Sequence, residues 1–328
     1  MSFERAPAPV GPWTARDIDT NGVTLRVLEA GSGFPVVLLH GYPELAYSWR
    51  HQIPALAEAG YHVIVPDQRG YGGSSRPEEI EAYDLDTLAA DVAGLLDALG
   101  EAKAVVIGHD WGAPVAWHFA LTAPERTHAV GSLSVPHAAR ASRPPLDAMR
   151  DASGPEHIFY VDYFQQPGLV DAEFAADPRA SLLGFMWSIS GDAPKDERFR
   201  PIRKGARFLD SITVPATLPE WLTEADLQVC VDNFTASSFT GGINWYRNTN
   251  RNWERSERFA NATIPQPALF VTGSRDPARG PAAIAKLPEV VTDLRVNELL
   301  MGCGHWTQQE RPEEVNKHLL RFLREVCP

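Results

Sequence analysis

Along the first 135 residues, short unbroken apolar runs alternate with stretches whose apolar positions recur every three or four residues. Val36-Val37-Leu38-Leu39, His62 to Val65, Ala104 to Ile107 and Ala129 to Val135 have the length and content of buried strands. Between them, Ser48 to Ala59, Leu85 to Leu99 and about Ala113 to Ala123 carry helical spacing. The first two of these stop at Gly60 and Gly100, residues suited to ending a helix. Ahead of them, Ala15 to Glu29 reads as two short strands joined through Asn21-Gly22, a tight-hairpin dipeptide. Alternation of this kind predicts an α/β fold, a mostly parallel sheet with helices on both faces.

The alternation then breaks. From about Pro136 to Phe259 no strand is evident, and helical segments rich in aromatic residues take over, among them Ile158 to Phe164 and Ser181 to Ile189. Strand signals return at Ala268-Leu269-Phe270-Val271 and Asp293 to Val296, and a last helix is expected from about Pro312 to Val326. The expected organisation is a core built from residues 1–136 and 260–328, interrupted by a helical insertion over residues 137–259. No internal repeat is visible.

Composition narrows the picture little. The 328 residues suit one catalytic domain with an insertion. A formal charge of −12 opposes the basic footprint of a nucleic-acid binder. No apolar run approaches the roughly 18 residues of a membrane span. Met1 to Val10 is proline-rich and lacks a basic-then-apolar signal pattern, so a soluble, cytoplasmic protein is expected. Cys230, Cys303 and Cys327 are few and far apart, indicating neither a disulfide framework nor a zinc site. Cys303 reads as a small buried side chain.

The chemistry enters at Gly108-His109-Asp110-Trp111-Gly112, which follows a predicted strand and precedes a helix. Glycines flanking the central residue allow the sharp turn of a nucleophile elbow. An Asp here would cap the following helix if it stood alone, but its place after a buried strand favours Asp110 as a nucleophile. A carboxylate is already ionised at neutral pH and attacks carbon directly, giving an ester. That suits a strained epoxide or an alkyl halide.

Hydrolysing such an ester needs an activated water. Ten histidines compete for that task, but only His305, in Gly302-Cys303-Gly304-His305-Trp306, lies between the last strand and the last helix. In this chain order an acid stands between nucleophile and base. Asp276 follows the strand ending at Val271 and would orient the imidazole, although as a residue before Pro277 it also fits a plain turn. Val135-Pro136-His137-Ala138, after the earlier strand, offers no carboxylate. The backbone N–H groups of Tyr42 and Trp111 are candidates for an oxyanion hole. In His40-Gly41-Tyr42-Pro43-Glu44, His40 reads as structural and Tyr42–Pro43 as a candidate cis bond. Glu44 would help position water, though an exposed loop glutamate is the simpler expectation. Asp67 to Gly72 reads as a structural turn with Arg69 as its hydrogen-bonding hub.

Together these segments resemble the soluble epoxide hydrolases of the α/β-hydrolase superfamily, and over nearly the whole chain the likeness is greatest to compact bacterial members. The resemblance implies an α/β-hydrolase fold, with a mostly parallel eight-stranded sheet and a helical cap. His40 to Glu44, Gly108 to Gly112 and Gly304-His305-Trp306 are partly shared with haloalkane dehalogenases, which remain the alternative. The cap is more specific. Tyr160-Val161-Asp162-Tyr163-Phe164-Gln165-Gln166-Pro167-Gly168 and Gly242-Ile243-Asn244-Trp245-Tyr246-Arg247-Asn248 are similar to the two family segments that present Tyr160 and Tyr246 to the epoxide oxygen. Gln166 stands where an acid is common. Opening an epoxide makes an alkoxide, which needs hydrogen-bond donors and a proton, and neutral tyrosines supply both. A halide needs no proton. The resemblance implies a vicinal diol product, no metal or organic cofactor, a small apolar epoxide and water as partners, and a monomer or homodimer. Phe159, Phe185, Trp187, Phe239 and Trp306 are candidate lining residues.

Overall fold

The structure, a computed structural model, describes residues 6–327, so part of the proline-rich start lies outside the described residues. The chain opens with β1 (Thr14–Thr20), β2 (Val23–Ala30), β3 (Phe34–Leu39), α1 (Gln52–Glu58), β4 (Tyr61–Pro66), α2 (Leu85–Leu99), β5 (Ala104–His109), α3 (Gly112–Thr122) and β6 (Thr127–Leu133). A helical insert follows: α4 (Pro145–Ser153), β7 (His157–Ile158), α5 (Tyr160–Tyr163), α6 (Leu169–Ala176), α7 (Pro178–Ser188), β8 (Ile202–Arg203), α8 (Glu224–Ser237), α9 (Thr240–Arg247) and α10 (Thr249–Arg255). The sheet resumes with β9 (Ala268–Gly273), α11 (Pro281–Val290), β10 (Leu294–Leu300), α12 (Thr307–Glu310) and α13 (Pro312–Val326).

The eight long strands form one sheet in the order β1-β2-β4-β3-β5-β6-β9-β10. β1 pairs antiparallel with β2, and β2 with β4, while the remaining pairings are parallel. The apolar runs explain why the sheet lies inside. In β3, Val37 and Leu39 join one core while Val36 and Leu38 join the other, and in β5 Val106 faces opposite to Val105 and Ile107. Both faces are therefore dry, as a strand covered by helices on each side requires. α13 places Val315, Leu319, Phe322, Leu323 and Val326 on one stripe against the second core. Gly100 ends α2 at φ 73°, the left-handed turn that the sequence pattern anticipates.

Several expectations need correction. The helix expected over Ser48 to Ala59 is a 3-10 turn at Ala46–Trp49 followed by α1. The insert contains a two-residue ladder, β7 against β8, so Ile158 is extended and its helix begins only at Tyr160. β10 runs on to Leu300, past the expected end at Val296, and α11 carries no expectation from the sequence. No helix of the described residues is long and apolar enough to cross a membrane.

Ion pairs fasten the insert to the core at two places. Arg50 Nε lies 3.0 Å from Asp226 Oδ1, with Tyr47 donating to the same oxygen at 2.8 Å. Elsewhere Arg251 and Arg255 reach Asp84, and Arg255 and Arg258 reach Asp86. Arg69 is the expected hub: it binds both oxygens of Asp91, at 2.6 and 2.8 Å, and the carbonyls of Ala82 and Asn21. Both partners are 6% exposed. Removing one member of such a pair strands a buried charge. Arg69→Met is expected to cost about 3–5 kcal/mol, read as a fall in the urea midpoint at unchanged slope.

Candidate active site

β5 delivers Asp110 to the sheet's carboxyl edge, and α3 leaves from Gly112. Asp110 sits at φ 48°, a left-handed value rare for a side-chain-bearing residue. A Cβ on Gly108 would overlap the Gly112 carbonyl, so the elbow closes only without one. Asp110 Oδ1 accepts the Tyr42 N–H at 2.8 Å, and Oδ2 lies 3.4 Å from His305 Nε2. Tyr42 thus already points its N–H at a carboxyl oxygen of Asp110.

His305 follows β10 and is fixed by its own backbone. Its N–H donates to Ile189 O in the insert at 3.0 Å, and its carbonyl accepts His109 Nε2 at 2.8 Å. Its Nδ1 lies 3.0 Å from Asp276 Oδ1 and 2.9 Å from Ser134 Oγ. Asp276 also accepts the Ala278 N–H at 2.8 Å. The sequence thus brings Asp110, Asp276 and His305 together, and the structure adds Ser134, for which the sequence carries no signal beyond a polar residue at a strand end.

The charges set one another. Burial alone would lower the His305 pKa, but the Asp276 charge and the hydrogen bonds to Asp110 and Asp276 outweigh it, and the pKa stands well above 6.5. Burial likewise works against the Asp110 carboxylate, yet His305, His109 and the Tyr42 N–H hold its pKa below 3.8. Asp276 is lowered too, because His305, Ser134 and Ala278 overcome its burial. The resting arrangement is an imidazolium between two carboxylates.

His40 is structural as expected: it is fully buried, and its Nε2 accepts the Gln68 N–H at 3.0 Å. The Tyr42–Pro43 bond is cis. Glu44 corrects the expectation of an exposed loop side chain, since it is 1% exposed. It takes N–H groups from Gly41, Gln308 and Gln309 and contacts His109 Nδ1 at 2.6 Å. Its partners lie far away in sequence, so only the fold reveals them. Cys303 is fully buried.

Tyr160 and Tyr246 meet edge to face, with ring centroids 5.9 Å apart. Trp111 packs on Tyr246 at 5.1 Å. Burial first, then the Asp110 charge, pushes both phenol pKa values up, so both stay protonated donors. Neither hydroxyl has a protein partner among the described residues, whereas Tyr163 donates to Glu173 and Tyr47 to Asp226. The lining expectations divide. Phe185 stands 6.0 Å from the Tyr42 ring, and Trp306 packs on His305 while its indole donates to Met186 O. The other three candidates have different surroundings. Phe239 packs on Phe174 and Phe234, Trp187 donates its indole N–H to Glu197, and Phe159 is 38% exposed, its ring tilted against Tyr160 at 4.9 Å. Phe199, unnoticed in the sequence, packs on Tyr160 at 6.0 Å.

The α/β hydrolase fold model matches residues 35–312. Epoxide hydrolase A of Mycobacterium tuberculosis is 50% identical over 96% of this chain and 98% of its own. The chain belongs to the epoxide hydrolases of the α/β-hydrolase superfamily. An epoxide hydrolase of Caballeronia sordidicola is 36% identical over 94% of this chain and 93% of its own. Among solved structures, Epoxide Hydrolase A from Mycobacterium thermoresistibile superposes with a TM-score of 0.91 at 50% identity, covering 95% of this chain and 98% of that one. An epoxide hydrolase from an endophytic Streptomyces gives 0.93 at 42% identity, covering 96% of each. These relatives do not favour the dehalogenase alternative.

A Cβ on Gly41 would overlap the Asp110 side chain. Gly41→Ala is expected to leave a folded protein whose epoxide turnover falls by about 10²-fold, the usual penalty for an ångström of misplacement. Circular dichroism and a diol assay check both halves.

Proposed function

We propose that the chain hydrolyses a small apolar epoxide to a vicinal diol through a hydroxyalkyl ester on Asp110. The observation that carries the reading is the pair of uncommitted phenols, Tyr160 and Tyr246, beside a carboxylate whose second oxygen faces His305 Nε2 at 3.4 Å.

In the first step Asp110 Oδ2 attacks an epoxide carbon and the C–O bond breaks. The freed oxygen is gripped by Tyr160 and Tyr246 and takes a proton from one of them. Donors aimed at a developing alkoxide favour the transition state over the ground state. Before the second step the His305 imidazolium passes its Nε2 proton to the tyrosinate, and water then attacks the acyl carbon of Asp110 while the neutral His305 Nε2 takes its proton. The N–H groups of Tyr42 and Trp111 hold the resulting oxyanion. The acyl–oxygen bond to the product breaks, the leaving alkoxide takes the proton of the newly formed carboxyl group, and the diol departs from a restored carboxylate and imidazolium.

Esterification itself readies the base. In the resting site the Asp110 charge helps hold His305 protonated. Once Asp110 is a neutral ester that contribution disappears, and the imidazole pKa falls as its proton acceptance is needed. The sequence is therefore self-timed: carboxylate first, neutral imidazole second.

The aromatic surroundings (Phe185, Phe199, Trp111) favour an apolar substrate, with aryl and fatty-acid epoxides as the compounds to try. A cytoplasmic location belongs to the same proposal; three unpaired cysteines suit a reducing compartment.

Diol formation from an aryl and a fatty-acid epoxide tests the reading. Asp110→Asn is expected to abolish it. The Tyr160→Phe/Tyr246→Phe pair is expected to lose about 10²–10³-fold for each donor removed. Chloride release from a chloroalkane in place of diol would overturn the reading. Two rates give the pH test. Alkylation of Asp110 should stay flat across the neutral range and drop only in acid, because the Asp110 pKa is depressed. Ester hydrolysis should rise with pH, with a midpoint below that of the His305 imidazolium followed by NMR in the free enzyme. Coincident midpoints would remove the self-timing.

A further inference from the structure

Ser134 closes β6 in a conformation that serine rarely takes, with φ 74°. The turn is held from several sides. The Ser134 N–H donates to Val271 O at 2.9 Å, while the Val135 carbonyl accepts Ser132 Oγ at 2.5 Å and the Trp117 indole at 3.3 Å. The residue is fully buried. This geometry sends Oγ to the junction of the acid and the base, 2.5 Å from Asp276 Oδ2 and 2.9 Å from His305 Nδ1.

Donor and acceptor rules fix the direction of each bond. The Asp276 carboxylate only accepts, so the serine O–H goes to Oδ2. The oxygen then offers a lone pair to Nδ1–H, which it shares with Asp276 Oδ1 at 3.0 Å. Oδ1 is also held by the Ala278 N–H at 2.8 Å. Both oxygens of the acid are thus gripped, and the carboxylate cannot swing about its own bond without losing a charge-assisted partner. The imidazole meets a forked acceptor on its Nδ1 side, which keeps that proton in place and leaves Nε2 toward Asp110.

We propose that Ser134 is a positioning residue for the ester-hydrolysis step. It locks Asp276 and the Nδ1–H tautomer, so that Nε2 faces the water it must deprotonate. The proposal rests on the reading of Asp110 as nucleophile and His305 as base. Ser134 reaches neither the epoxide nor the ester, and attack by Asp110 on carbon does not require His305 to accept a proton. The two steps therefore respond differently when the hydroxyl is removed. In alkylation the Asp110 oxygen–carbon bond forms and the ring C–O bond breaks as before. In hydrolysis the water proton goes to a base whose orientation is no longer fixed.

Rapid-quench kinetics with intact-mass detection of the Asp110 ester separate the steps. The full chain would be compared with Ser134→Ala and Ser134→Gly, using an aryl epoxide. Glycine takes the left-handed backbone freely and removes the hydroxyl without added strain, so it decides the matter if the alanine variant folds poorly. The expected result is an alkylation rate within about twofold of the parent. Hydrolysis should be slower by at least about tenfold, part of the 10²–10⁴ that a positioned base supplies. The ester should accumulate, with kcat and KM falling together and kcat/KM preserved. Equal loss in both steps, or ester hydrolysis at the parental rate in the glycine variant, would overturn the proposal. A parent enzyme that makes diol without an Asp110 ester would instead overturn the nucleophile reading beneath it.

Discussion

The site is organised by one buried electrostatic arrangement, the His305 imidazolium between the carboxylates of Asp110 and Asp276. Burial disfavours all three charges separately, and each is kept ionised by its neighbours. Under the proposed mechanism, the arrangement keeps Asp110 ionised and makes His305 a base only once the Asp110 charge is lost. A neutral imidazole at rest would leave two buried carboxylates without a counter-charge. The surrounding hydrogen bonds, from Tyr42, Ala278 and Ser134, serve the same end by giving each anion fixed donors in place of water.

Holding that arrangement involves the insert as much as the sheet. The loop of His305 and the turn after β9 are sewn to the end of α7 and the segment that follows it: His305 N–H binds Ile189 O, the Trp306 indole binds Met186 O, and Arg275 binds Gly191 O at 2.6 Å. Glu310 gathers the N–H groups of Gly191, Gly304 and Trp306 on one buried carboxylate. The insert therefore supplies Tyr160 and Tyr246 and also braces His305. The ion pair of Arg50 and Asp226 joins the same two bodies, and Arg50 also donates to Gln309, which in turn donates to Glu44.

How much of this was legible depends on the range of the interaction. The elbow, the base loop and both tyrosine segments are contiguous motifs, and a backbone turn or a helix start is dictated by neighbours in the chain. The hub role of Arg69 was readable because its turn is local. Glu44 was not: an acid in a loop is expected outside, and its burial is compensated by amides of Gln308 and Gln309 more than 260 residues away. Phe159 and Phe239 show the converse limit. An aromatic side chain in a cap motif is equally suited to the cavity, the cap core or the rim, and the packing of Phe174, Phe234 and Tyr160 decides between them.

By itself the sequence determined the α/β alternation, the helical stretch that interrupts it, and the motifs that carry Asp110, His305 and the two tyrosines, because hydrophobic period and short glycine-flanked motifs act over a few residues. Tertiary structure decided what surrounds those groups: that Ser134 completes the pair of Asp276 and His305, that Glu44 and His109 lie buried against the loop of His305, and that two tyrosines 86 positions apart pack ring against ring within reach of the Asp110 charge. Those facts depend on distances across a folded core, and a linear pattern of polar and apolar positions does not carry them.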